Sequence, residues 1–261
     1  MSRRIIDISV PLTAGIASDP PHMLPSIKYL DHHATAPDLA AFFGVPVSAL
    51  PDGKYAAVEQ VSLSTHNGTH LDAPYHFFSS MDHALVPGGR PSLRIDEVPL
   101  DWCFQPGVKL DFRAKPDGHV VQPAEVEAEL ARIGHTLRPL EIVVVNTRAG
   151  SRYGEDDYLD SGCGMGKAAT LWLLEQGVRL VGTDGWSWDA PFSHTKRRVA
   201  ETGDAGLIWE GHRAGREIGY CHLEKLHNLE ALPDSGFEVA CFPVKVKSGS
   251  AGWTRAVAIL P

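Results

Sequence analysis

No run of about eighteen apolar residues occurs along the chain, so no segment reads as a membrane-spanning helix. Basic charge is in deficit. The 24 Lys and Arg stand against 32 Asp and Glu, for a formal charge of −8, the wrong sign for a nucleic-acid footprint. Cysteine is scarce: four residues, at 103, 163, 221 and 241, with no Cys-x-x-Cys. That speaks against a thiolate zinc site and suits buried thiols in a reducing, cytoplasmic compartment. Cys163 sits in a glycine-rich loop, where a small packing residue is a plainer reading than a reactive thiol. No Gly-x-Ser-x-Gly elbow occurs, which leaves a serine nucleophile little support. Ser2-Arg3-Arg4 leads into strand-like Ile5-Ile6-Asp7-Ile8, not into an apolar signal core. No Ser/Gly-rich or charged linker divides the 261 residues. Residues 1–261 are therefore expected to form one domain around a sizeable core.

Histidine is plentiful, at thirteen. The stretch His66-Asn67-Gly68-Thr69-His70-Leu71-Asp72-Ala73-Pro74-Tyr75-His76-Phe77 carries three imidazoles and a carboxylate at 66, 70, 72 and 76. Such side chains bind zinc or manganese. All four positions are even, so an extended chain turns them to one face. A straight strand, however, spreads 66 and 70 over roughly 13 Å, while metal–nitrogen bonds are only about 2.1 Å long. Asn67-Gly68-Thr69 is a poor helical turn. The chain is expected to bend sharply at Gly68, where the missing Cβ permits unusual dihedrals. His70 and Asp72 converge without a bend. Pro74 ends any ladder and turns His76 back toward the same pocket. A lone histidine is usually a satisfied surface or core residue. Four ligand-type side chains of one parity around a Gly and a Pro make a metal site the better reading.

This stretch, His-x-Gly-Thr-His-x-Asp-x-Pro-x-His-Phe, resembles the signature of the cyclase family of metal-dependent hydrolases. That family includes bacterial kynurenine formamidases, isatin hydrolases and some dienelactone hydrolases. The match over 66–77 is complete, and weaker similarity runs from Asp7-Ile8-Ser9 to Arg255-Ala256-Val257. The resemblance implies that His66, His70 and Asp72 bind metal and that His76 acts in acid–base chemistry. It also implies a swivelling β/β/α fold and a dimer or tetramer. The family shows a His about twelve residues before a Glu, and Trp209-Glu210-Gly211-His212 through His222-Leu223-Glu224 looks similar. His212 and Glu224 are therefore implied as further ligands, with room for one or two zinc or manganese ions. Spacing alone leaves His222 and His227 as rivals.

The remaining pattern interleaves strands and helices without a clean βαβ rhythm, which suggests a mixed α/β domain with a curved, barrel-like sheet. Strands are expected at 5–10, 107–112, 142–145, 180–184, 237–246 and 255–260. A helix opens at Pro123 and runs to about 133, and a second covers 168–174. Residues 13–54 are loop-rich, with six prolines, and read as a lid, binding loop or inter-subunit arm. Within it Asp38 is placed to cap a short helix; His22, His32 and His33 read as solvated loop residues. Residues 248–252 read as a flexible spacer, and 190–232 as helix-prone only in patches. Trp186 and Trp188 on one loop are either core anchors or the wall of an aromatic pocket; with Phe77 they are the candidate substrate contacts. Family members tend to carry smaller residues at this loop, which leaves substrate size open.

The chemistry follows from the ligand set. A Lewis-acid metal lowers the pKa of bound water to about 7, and the resulting hydroxide can attack a carbonyl. An adjacent imidazole, His76, takes a proton and returns it to the leaving group. Thr69 and Ser64 are spaced to orient the ligand histidines. Hydrolysis of a small amide fits best, with aryl formamides such as N-formylkynurenine ahead, and isatin-like lactams or dienelactones as alternatives. From another class, the cluster could be a structural site in a binding protein, although closed structural sites usually use four strong ligands, often thiolates. A polyketide-type ring-closing enzyme rests on the family name alone.

Overall fold

The computed structural model describes residues 3–261. Short β-branched and aliphatic runs bounded by turn residues form the nine strands of one sheet. These are β1 (Arg4–Asp7), β2 (His70–Asp72), β3 (Phe104–Asp111), β4 (Ile142–Asn146), β5 (Leu180–Thr183), β6 (Cys221–Glu224), β7 (Ser235–Ala240), β8 (Ala251–Trp253) and β9 (Val257–Leu260). Their order is β1-β9-β7-β3-β4-β5-β6-β2-β8. Strands β3 to β6 run parallel, and the other neighbours pair antiparallel. Every residue of β4 and β5 is buried, as expected of parallel strands covered on both faces.

The sheet is curled. Laid flat, strands about 4.8 Å apart would put its edges roughly 38 Å from each other. Instead Ile6 of β1 and Ile8 just after it share a core with Leu71 of β2, Leu223 of β6, Ile142, Val144, Leu180, Val239 and Ala258. Backbone bonds close this half-barrel: the Ile8 N–H donates to Ala256 O (3.1 Å), and the His227 N–H donates to Ile8 O (2.9 Å). Among the described residues six α-helices accompany the sheet: α1 (His32–Phe43), α2 (Pro74–Phe77), α3 (Pro123–Ile133), α4 (Lys167–Glu175), α5 (Phe192–Thr202) and α6 (Ala214–Glu217). On the outer face, Val126 and Leu130 of α3 and Ala169, Leu173 and Leu174 of α4 pack on Val108, Leu110, Val143, Val145 and Val181. A reciprocal Gln122–Glu125 capping box starts α3 and left-handed Gly134 ends it. The mixed, curved sheet and the two helices are as the sequence pattern implies. No helix among the described residues is long and apolar enough to cross a membrane. All four cysteines are buried and free; burial pushes the Cys163 thiol up to about 12.

Three local expectations are corrected. The arm is more ordered than its prolines suggest: Ser26–Leu30 pairs antiparallel with Val58–Ser62, and α1 is twelve residues long. Its cap is Asp31, whose carboxylate accepts from the His33 and Ala34 N–H groups; Asp38 lies inside the helix. Pro37, also inside, forfeits one ladder bond and disguises the segment. The supposed spacer at 248–252 runs into β8, which pairs with β2 at the sheet edge. Within the patchy 190–232 region, β6 is a central element of the site.

Candidate metal centre and active site

The site is assembled on the antiparallel pair β2–β6. Asp72 stands opposite His222, and His70 opposite Glu224. Side chains alternate along a strand, so these four share one side while Leu71 and Leu223 enter the inner core. A one-residue slip would exchange the two sets. Gly68 has φ +61° and makes the anticipated bend. His66 is thereby returned to the strand it precedes, with Nδ1 2.9 Å from Asp72 Oδ1. Pro74 opens α2, and one turn later His76 Nε2 lies 3.9 Å from Asp72 Oδ2. The His66 and His76 rings are 4.2 Å apart. A buried ion pair locks the bend from behind. Lys225 Nζ donates to Asp19 and to His66 O (2.8 Å), and Asn67 Nδ2 and Trp186 Nε1 donate to the same Asp19 carboxylate at 3.0 and 3.1 Å.

Hydrogen bonding fixes which nitrogens are free. His70 Nδ1 donates to Gly68 O at 2.9 Å, since a carbonyl can only accept. Its Nε2 is then a bare lone pair, 3.4 Å from Asp72 Oδ1 and 3.6 Å from Glu224 Oε2. His70 Nε2 is buried without a hydrogen-bond partner, and Asp72 Oδ1 has none apart from the close approach of His66 Nδ1. His212 Nδ1 donates to Asp189, whose carboxylate is held by the Gly211 N–H (2.6 Å) and the His212 N–H (3.3 Å). Glu224 Oε1 accepts from the Trp188 N–H at 3.0 Å. Acceptors thus face acceptors in a desolvated space, an arrangement that costs free energy unless a cation fills it. Ligand atoms of Asp72, His212, His222 and Glu224 all lie within 4.8 Å of one another, as do those of His66, Asp72 and His76. The His and carboxylate donors suit a divalent transition metal.

The electrostatics agree. Burial alone would raise Asp72, but the surrounding imidazoles hold it well below the usual carboxylate range. Burial likewise opposes ionisation of Glu224, yet His222 and its neighbours bring it to about 2. His222 is desolvated but carried up to about 9 by the two carboxylates: positive charge is favoured between them. His76 is the opposite case. Burial outweighs the pull of Asp72 and leaves it at about 4, so it is neutral near pH 7.

The structure gathers His66, His70, Asp72, His76, His212 and Glu224 into one cluster. Of the two rivals, His222 lies inside it and His227 is exposed. His22, His32 and His33 are exposed as well. Thr69 and Ser64 do not orient the ligand rings: Thr69 Oγ donates to Lys225 O, and Ser64 Oγ accepts from the His66 backbone. Gly68 O, Asp189 and Ser250 (Oγ 3.2 Å from His66 Nε2) have that place. Trp188 is fully buried, with its indole N–H on Thr170, and so is a core anchor. Phe77 is buried too and stacks on His222 at 4.8 Å; neither offers a surface to substrate. Trp209, which the sequence did not single out, lies flat on His212 (4.5 Å, 6°) and 5.3 Å from His76. It borders an apolar cavity of about 320 Å³ lined by Phe192, Val199 and Ile208.

The fold and this site define an α/β protein with a candidate divalent-metal centre between two strands of its curved sheet. Residues 6–190 match the family model described as "Putative cyclase", and the chain belongs to that family. It is 24% identical over 208 residues to a kynurenine formamidase of Erythrobacter litoralis, covering 80% of this chain and 79% of that protein. A kynurenine formamidase of Salinibacter ruber is 28% identical over 200 residues, covering 75% and 76%. In three dimensions, isatin hydrolase A from Ralstonia solanacearum superimposes with a TM-score of 0.75 at 20% identity, over 99% of this chain and 92% of that one.

Proposed function

We propose that this chain is a metal-dependent amidohydrolase that cleaves the C–N bond of a small aryl formamide such as N-formylkynurenine. The observation that carries the reading is the buried, unpaired His70 Nε2 facing the Asp72 and Glu224 carboxylates. His66, His70, Asp72, His212 and Glu224 would hold zinc or manganese. A divalent cation held there would supply Lewis acidity, able to polarise a carbonyl and to bring the pKa of water to about 7. The protein's own residues do the rest. Asp189 fixes the His212 tautomer. His76, neutral and with its side chain 21% exposed, takes the proton from the attacking water and delivers it to the leaving nitrogen. Trp209 and the apolar cavity beside it suit an aromatic ring. The names of the formamidase relatives support the open-chain formamide; the fold of the isatin hydrolases supports a cyclic lactam as the second reading.

The test is hydrolysis of aryl formamides against isatin-type lactams by metal-loaded and chelated protein. Activity in the loaded form alone is expected, with the formamide preferred. His76→Ala is expected to lose about 10²–10⁴-fold in kcat with its metal content unchanged; full activity in that variant would remove the proton-transfer role. We further infer that the protein assembles with copies of itself through the arm, which exposes Tyr29 (71%), Phe42 (81%) and Phe43 (65%), aromatic side chains of the kind that gather at interaction surfaces. Sedimentation should show a dimer or larger, and a monomer at every concentration would refute this.

A further inference from the structure

The proposed hydrolase reading uses His212 and Glu224 but leaves His222 without a task. This histidine is fully buried on β6, clamped between Phe77 (4.8 Å, 30°) and Trp188 (6.2 Å, 24°). Its hydrogen-bond partners are settled by elimination. Tyr220 Oη donates to Gly211 O at 3.2 Å, because that carbonyl can only accept. The phenol oxygen therefore offers His222 Nδ1, 3.4 Å away, a lone pair, and Nδ1 must donate. In the neutral ring Nε2 is then a bare lone pair. It lies 3.0 Å from Asp72 Oδ2 and 3.2 Å from Glu224 Oε1, neither of which can donate. His212 is built in the same way, its Nδ1 on Asp189. The rings arrive pre-oriented, each with an outer acceptor on Nδ1, as metal-bound imidazoles usually do.

We propose that His222 is a metal ligand, completing with Asp72, His212 and Glu224 a four-ligand site for a divalent cation between β2 and β6. This rests on the metal-dependent reading above and goes beyond it. Two nitrogens and two carboxylate oxygens close the shell of a tetrahedral ion. An ion with these four protein ligands would leave no place for water and would serve as a fixed positive charge. His66 and His70, each close to Asp72 Oδ1, would hold with Asp72 a neighbouring position of three protein ligands, which would leave room for water there.

The experiment is equilibrium dialysis against Zn²⁺ with elemental analysis, and visible absorption of the Co²⁺ form, on wild type, His222→Phe and His222→Gln. Phe keeps the ring between Phe77 and Trp188 but has no lone pair; Gln guards against misfolding of the Phe variant. Circular dichroism checks the fold. Wild type is expected to bind two equivalents, and each folded variant one, with the second weakened by at least about 100-fold, more than loss of an outer-shell partner gives. The Co²⁺ form should lose one set of tetrahedral bands and keep the other. Two tight equivalents in a folded variant would overturn the proposal. So would one equivalent in wild type, which would leave a protonated His222 in the cation's place. No turnover enters these measurements. Absence of hydrolysis with two bound equivalents would sink the amidohydrolase reading alone, and one equivalent with hydrolysis would sink the His222 assignment alone.

Discussion

At the scale of single residues, burial decides chemistry more than residue type does. Asp184 follows β5 and is enclosed. Its carboxylate accepts from the Thr147 N–H (2.9 and 3.0 Å) and Oγ–H (2.6 Å). Burial still dominates these bonds and raises its pKa from 3.8 to about 7. The folded state therefore holds this proton more tightly than the unfolded chain does between those values. Its contribution to stability is complete below the unfolded pKa and is lost as pH rises through about 7. Chemical denaturation from pH 5 to pH 8 should show wild type losing more stability with rising pH than Asp184→Asn, a neutral isostere. Equal slopes would refute the assignment. The same principle explains what the sequence could not disclose about the tryptophans. Trp186 and Trp188 are two apart on one loop. One is buried in the helix-side core, while the other reaches Asp19 on the arm, and nothing local distinguishes them.

At the scale of elements, the legible parts of the site are those within one short segment. His66, His70, Asp72 and His76 could be read together because parity, a Gly bend and a Pro turn are local rules. The β2–β6 register, with Asp72 opposite His222, joins segments 150 residues apart, and no local pattern specifies it. That is why His222 and His227 were indistinguishable as rivals, and why β8 looked like a spacer. The His212–Glu224 pair came from resemblance, not from spacing. Gly68 tests the local rule. An added Cβ would meet Leu12 Cδ1 at 3.4 Å, ordinary contact, so the conflict is one of backbone, at φ +61°. Holding an Ala in that region costs about 1–2 kcal/mol. Gly68→Ala is thus expected to lower stability by about that much and to weaken metal binding by displacing His66. Denaturant unfolding and zinc titration would measure both. Unchanged zinc affinity would show that the bend does not place His66.

For the whole molecule, the question is whether the metal is a working part or a structural staple. The inner core of the half-barrel and the helix-packed outer core contain no candidate ligand side chain except through neighbouring aromatic contacts such as Phe77 on His222. Both cores are continuous across the strands that carry the site, so they should survive loss of the cation. Removal nevertheless leaves Asp72, Glu224 and the bare His70 Nε2 facing one another out of water, and the folded state alone binds the ion. At a free metal concentration a thousandfold above Kd this linkage is worth about 4 kcal/mol. At about 2–4 °C per kcal/mol for a chain of this size class, chelation should lower Tm by roughly 8–16 °C. Far-ultraviolet circular dichroism at 25 °C should stay native, hydrolysis should cease, and both Tm and activity should return on adding zinc or manganese. Collapse of the spectrum at 25 °C on chelation would instead mean that the half-barrel depends on the ion, and an unmoved Tm would mean that these acceptors face one another without any cation at all.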